Sequence, residues 1–418
     1  MSVPFSNVLE PGDFLFETRV TVEDVNKVIT EQLGTESQLK STSKFTVVGD
    51  GNGFLSRVIL VEPEWTVPDN NLPDKFILKI SSTHHIRGMM KKERADGKNY
   101  LTEEKEAHMW NHFEEVVRRM HNQEVSFYRF VRNLETREKL MLPKMYFAKK
   151  IDKNDKGFIG LEYVKNPTVN HVFVNSEPTD LYPVLKAIAT LQAATFSMTD
   201  EEKESLSDTH HLEAMGGMFS EDGIKGVFEQ TRRIGDGVSE KVDRIVDLGK
   251  GLVDLEFIKN LNTAVGVEKK VLVHGDLWST NILWKDGVAD KIVDYQLIHF
   301  GNPAEDLVRL FVSTLSGAQR RQHWDDLLQK FYAYFLEALG RQEAPYSLEQ
   351  LKESYRLYFV MGAMALLPMF GRHVKAKLQS FEAEKELKCR EIIREKVECL
   401  LEDVVEWHLY KEEKIRNQ

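Results

Sequence analysis

Strand-like segments crowd into the first 165 residues and helical segments fill the remainder, an asymmetry that restricts the fold more than any other feature. A first helix is predicted from Thr21, where Asp24 completes a capping-box pattern and Gly34 supplies the stop. Val22, Val25, Ile29 and Leu33 share one face of it. Strands are expected at Lys44–Val48, Phe54–Val61 and Lys75–Ile80, the first two joined by a glycine-rich hairpin turn. A long helix from about Leu101 to Val131 follows, then strands near Met141–Lys149 and Phe158–Val164. From Asp180 the texture is helical, with an irregular glycine-dotted stretch at 200–240. Short strands at Val271–Val273, Ile282–Trp284 and Lys291–Val293 interrupt it, and Ser347 with Gln350 caps a late helix. Strands first and helices second predict an α+β chain of two lobes, 1–165 and 166–418.

The short strands frame the string that carries chemistry. His274, Asp276 and Asn281 have the spacing H-x-D-x-x-x-x-N of a kinase catalytic loop. There an aspartate accepts the proton of the attacking hydroxyl, and an asparagine five residues on binds Mg²⁺. A turn with polar tips has the same composition, so the string needs support from elsewhere. Asp294 gives it, as a lone acid closing an apolar strand, where it can meet the same metal.

Partners for such a loop exist upstream. Phe76, Leu78 and Ile80 point to one face of a strand and Lys79 to the other, where a lysine can neutralise the α- and β-phosphates of ATP. Glu124 is the best orienting acid on the following helix, in competition with Glu103, Glu104, Glu106, Glu114 and Glu115. Gly49, Gly51 and Gly53 let bare amides approach phosphates, although the run departs from G-x-G-x-x-G and lacks the Lys-Ser/Thr of a Walker loop. Backbone groups of Glu162 and Val164 are placed to meet adenine, or simply end a strand.

Composition removes several alternatives. The formal net charge is −10, from 56 Lys plus Arg against 66 Asp plus Glu, where a nucleic-acid binder usually shows a basic excess. Cys389 and Cys399 lie ten residues apart in one helical stretch, roughly 15 Å, too far for a disulfide within the chain. A reducing, cytoplasmic setting is expected, with no signal peptide, lipidation signal or membrane span. The apolar run Tyr358–Phe370 holds Pro368 and reads as a buried helix, with Met361, Met364 and Met369 as core filling. The pairs His84-His85 and His210-His211 and the cluster Lys91, Lys92, Arg94 read as solvated loops.

The string His274-Gly275-Asp276-Leu277-Trp278 with Asn281, followed by Asp294-Tyr295-Gln296, resembles the ecdysteroid-kinase-like (CHK kinase-like) family. That family belongs to the choline kinase and aminoglycoside phosphotransferase superfamily. Gly275 in place of the arginine of protein kinases, and Trp278 soon after the acid, point to this branch. The resemblance implies a protein-kinase-like fold, an N-terminal nucleotide-binding lobe and a C-terminal catalytic lobe. It implies Asp276 as base, Asn281 and Asp294 as Mg²⁺ ligands, Lys79 with Glu124 as the phosphate pair, and Asp306 as an acid supporting the loop. Gln192 departs from the histidine of many relatives.

Only eight residues separate Asp294 from Pro303, and helix resumes near Asp306, which leaves no room for an activation loop and peptide platform. The expected activity is therefore transfer of the γ-phosphate of ATP to a hydroxyl of a small molecule, sterol-like or amino-alcohol. Trp324, Tyr355 and Tyr358 are available to an acceptor pocket among the C-terminal helices. Two rivals stand beside this reading. A catalytically silent nucleotide-binding module would be expected to lose one of Lys79, Asp276, Asn281 and Asp294, and an interaction scaffold would use the basic loop at 91–98.

Overall fold

The computed structural model describes residues 15, 18–48, 56–82, 103–152, 156–208, 216, 219–248, 251–340 and 343–416. The glycine run 49–53, both histidine pairs and the basic cluster at 91–94 lie outside these residues. The chain divides into two compact units, Met1–Val125 with Pro143–Val164, and Ser126–Leu142 with Lys165–Gln418. The lobes expected at 1–165 and 166–418 differ from these units in the segment Ser126–Leu142 and at Lys165.

Helix α1 (Val22–Leu33) forms where local chemistry dictates. The Thr21 hydroxyl accepts the Asp24 N–H at 3.1 Å, and Asp24 accepts the Thr21 N–H at 2.9 Å. Gly34 ends the helix in the left-handed region at φ 66°, which a residue without Cβ adopts at no steric cost. Val25, Val28 and Ile29 pack on a five-stranded antiparallel sheet of order β1-β2-β3-β5-β4. Its strands are β1 (Lys44–Val47), β2 (Ser56–Glu62), β3 (Phe76–Ser81), β4 (Met145–Lys149) and β5 (Phe158–Glu162). Phe76, Leu78 and Ile80 of central β3 enter this core, each side chain contributing about 1.5–3 kcal/mol by leaving water. Period-two alternation then turns Lys79 to the opposite face, toward α2 (Glu103–Val131).

The second unit is mainly helical. Its helices are α3 (Tyr182–Ala194), α4 (Asp200–Ser205), α5 (Glu221–Arg232), α6 (Asp236–Asp247), the short α7 (Leu255–Lys259) and α8 (Leu261–Ala264), α9 (Glu305–Thr314), α10 (Gly317–Leu339), α11 (Leu348–Leu378) and α12 (Ala383–Arg416). The described part of the 200–240 stretch is thus α4, α5 and the start of α6. Two small antiparallel sheets interrupt the helices. One pairs β7 (Val271–Val273) with β10 (His299–Gly301), and the other has the order β6 (Thr168–Val169), β8 (Ile282–Lys285), β9 (Val288–Ile292).

Ser347 and Gln350 cap α11 reciprocally, and α11 runs through Pro368 with Met361 and Met364 buried and Met369 half-buried. Cys389 and Cys399 are both free on α12. Among the described residues no helix is long and apolar enough to cross a membrane. The fold class is α+β, as expected from the strand-then-helix order, with a helix-backed antiparallel sheet and a mainly helical remainder.

Candidate active site

The loop after β7 is held by its backbone before any side chain is considered. All three β7 residues are buried and pair with β10, so the chain enters the loop from a fixed strand. Gly275 then adopts φ 78°, and a Cβ there would overlap the Leu297 carbonyl oxygen. Only glycine satisfies both conditions. Asp306, wholly buried on α9, accepts the N–H groups of His274 at 2.7 Å and Gly275 at 3.0 Å. Burial pushes its carboxyl up to about 6, against the pull of these two N–H donors.

The His274 ring fixes the next residue. Its Nδ1 accepts the Asp276 N–H at 3.1 Å, so the neutral ring carries its proton on Nε2 and donates it to the Val293 carbonyl at 3.0 Å. The ring also lies against Tyr295, which stacks on Phe127 with ring centroids 4.3 Å apart. His274 is therefore a buried bracket between the loop and the end of β9.

The structure brings Asp276, Asn281 and Asp294 together. Asn281 donates through Nδ2 to the Asp276 carbonyl at 2.8 Å and, more weakly, to Asp276 Oδ2 at 3.3 Å. Its own carbonyl accepts the Val293 N–H at 2.9 Å, which sets Asp294 directly after a residue tied to the loop. Asp294 occupies the left-handed region at φ 69°, where aspartate is among the few side-chain-bearing residues commonly found. Burial raises the Asp276 carboxyl above the ordinary range, the Arg309 guanidinium opposes that, and the Asp294 charge adds to it.

The donor set suits a hard divalent cation. With Nδ2 of Asn281 used on Asp276, its Oδ1 remains to join the Asp294 carboxylate, giving two oxygen donors of the kind Mg²⁺ takes alongside water and phosphate. Among the described residues no group of three or more His, Cys, Asp or Glu forms a cage that could hold a metal by itself.

Lys79 and Glu124 form a second arrangement, within the first unit. Lys79 Nζ donates to both carboxylate oxygens of Glu124, at 2.8 and 2.6 Å, and both residues are buried. Of the competing helix acids with described side chains, Glu114 is only half-buried and Glu115 is exposed and pairs with Arg118. One turn before Glu124, buried His121 contacts Ser81 Oγ at 2.9 Å and the Lys149 carbonyl at 2.8 Å, tying α2 to β3 and the end of β4. Glu162 closes β5, with its backbone N–H on the Lys144 carbonyl and its carboxylate on the Lys144 N–H. Val164 lies two residues beyond it, half-buried at the end of the first unit.

Sequence reasoning missed Arg309 and Ser313. Arg309 Nη2 pairs with Asp276 Oδ1, and Ser313 Oγ accepts the Ser279 N–H at 3.0 Å. The signal was the spacing 306, 309, 313, which puts three polar side chains on one face of α9. Gln192, the departure on α3, is buried and bridges the Pro303 carbonyl at 3.0 Å and the Tyr346 hydroxyl at 3.0 Å. The aromatic residues named as available to an acceptor pocket sit within the helix packing. Tyr355 and Tyr358 are buried and half-buried Trp324 stacks on Tyr355 at 5.4 Å, because α11 is covered by both α9 and α12.

Comparison with known proteins gives a family and distant relatives. The model of the family DUF1679, described as "Uncharacterized oxidoreductase dhs-27", matches residues 8–412. An uncharacterized kinase-like protein of Caenorhabditis elegans, D1044.1, is 24% identical over 303 residues, covering 68% of this chain and 76% of the relative. The uncharacterized oxidoreductase dhs-27 of the same organism is 23% identical over 330 residues, 75% of this chain and only 38% of that longer relative. Among solved structures, the GDP complex of an aminoglycoside 2'-phosphotransferase has a TM-score of 0.43 at 12% identity, covering 90% of this chain and 97% of that one. A choline kinase from Cryptosporidium parvum has a TM-score of 0.39 at 11% identity, covering 90% and 91%.

Proposed function

The chain belongs to the DUF1679 family, and we propose that it is an ATP-dependent small-molecule kinase of the choline kinase and aminoglycoside phosphotransferase type, in its ecdysteroid-kinase-like branch. The observation that carries this reading is the Asp276 carboxylate, held on a fixed loop beside the Asn281 amide and within the field of Asp294. A carboxylate next to two oxygen donors of metal-binding type is what phosphoryl transfer to an alcohol requires.

In this reading Asp276 accepts the proton of the acceptor hydroxyl and aims its oxygen at the γ-phosphate. Asn281 Oδ1 and Asp294 hold Mg²⁺, which when bound neutralises charge on the phosphates. Lys79, oriented by Glu124, binds the α- and β-phosphates; Gly49, Gly51 and Gly53 cover them; backbone groups of Glu162 and Val164 receive the adenine. Most of the rate enhancement then comes from positioning and from charges fixed in advance. The acceptor is a small alcohol, sterol-like or amino-alcohol, because no peptide platform fits between Asp294 and α9.

ATP consumption measured against sterols, amino alcohols and aminoglycosides tests the proposal. It predicts consumption that needs Mg²⁺ and rises with one acceptor class. Failure of Mg²⁺·ATP to raise the melting temperature, together with no ATP consumption, would overturn it.

A further inference from the structure

We propose that Arg309 is a positioning residue that fixes which oxygen of Asp276 meets the acceptor hydroxyl; this rests on Asp276 being the base. The Asp276 carboxylate has two unequal oxygens. Oδ1 is engaged by Arg309 Nη2, whereas among the described residues Oδ2 has only the long 3.3 Å contact from Asn281 Nδ2. Each carboxylate oxygen accepts about two hydrogen bonds, so Oδ2 keeps the capacity to take a proton while Oδ1 serves as the anchor.

The loop backbone has anchors other than Arg309. From the same face of α9, Asp306 holds the His274 and Gly275 N–H groups and Ser313 holds the Ser279 N–H. These contacts grip the backbone on both sides of Asp276. Arg309 alone on that face reaches the carboxylate itself.

The arrangement is also a poor stability device. The Arg309 side chain is 7% exposed, and its Nε and Nη1 are buried without a hydrogen-bond partner among the described residues. A buried guanidinium satisfied at one nitrogen carries a desolvation cost that an apolar residue of similar volume avoids. A costly charge placed on the reacting group, in a loop already secured, is explained by orientation of that group.

The test uses the full chain with Mg²⁺·ATP as probe and water as the phosphoryl acceptor. Arg309→Met is expected to lower kcat roughly a hundredfold, the scale of a misplaced reacting group, with KM for ATP and the Mg²⁺·ATP melting shift unchanged. Arg309→Ala is expected to regain turnover when guanidinium chloride is added below denaturing concentration, and Arg309→Lys to fall between, since an ammonium restores charge without the planar fork. Wild-type kcat in Arg309→Met would overturn the proposal. So would loss of nucleotide binding in Arg309→Met, or absence of guanidinium rescue in Arg309→Ala, either of which assigns the residue to the fold. No turnover by the wild-type chain would instead defeat the kinase reading itself.

Discussion

The buried carboxylate of Asp306 accepts the backbone N–H of His274 at 2.7 Å, and its second oxygen takes the N–H of Gly275. One side chain thus satisfies two consecutive amides that the sharp turn removes from any strand partner. Asp306→Asn keeps the shape but turns one acceptor into a donor facing an N–H. A loss of about 1–3 kcal/mol is expected, read as a lower urea midpoint, with turnover falling more than nucleotide binding.

Gly275→Ala should be worse than its size suggests. The added methyl meets a backbone carbonyl, that of Leu297, which cannot swing aside as a flexible side chain would. Left-handed strain adds about 1–3 kcal/mol. Thermal unfolding should show a clear drop in melting temperature, and ATP turnover should be lost.

The Lys79–Glu124 pair separates stability from function. Glu124→Ala removes the carboxylate from a buried lysine and should cost roughly 3–5 kcal/mol. The double variant Lys79→Met with Glu124→Leu replaces the pair by apolar groups and should recover most of that loss. It should nevertheless show no melting shift with Mg²⁺·ATP. Full nucleotide binding by the double variant would remove Lys79 from the phosphate site.

His121 predicts a pH dependence. Burial holds its imidazole down to about 4, against about 6.5 when unfolded, so the folded chain binds fewer protons between those values. The stability it contributes is complete above pH 6.5 and is lost as pH falls toward 4. Between pH 7 and pH 5 that amounts to about 2 kcal/mol. Urea midpoints at the two pH values should differ less in His121→Gln than in the wild type.

Legibility from sequence followed the range of the interaction. The cap and apolar stripe of α1 are written in neighbouring residues, and α1 runs from Val22 to Leu33 as Thr21 and Gly34 indicate. The spacing of His274, Asp276 and Asn281 is equally local. The selection of Glu124 over other acids of α2 is fixed by where β3 lies. The spacing of 306, 309 and 313 marks a polar face of α9, but the partner of Arg309 was not legible, because it is 33 positions away and the pairing exists only once α9 packs beside the loop. The burial of Tyr355 and Tyr358 was not legible for the same reason, since an aromatic residue reads alike whether it lines a pocket or fills a helix interface.

Phosphoryl transfer by Asp276→Asn tests the central claim most directly. The amide keeps the shape of the side chain but cannot accept a proton at neutral pH. Turnover should fall by at least about a hundredfold, the contribution of a positioned base, while the Mg²⁺·ATP melting shift stays at the wild-type value. Wild-type turnover in Asp276→Asn would contradict the account.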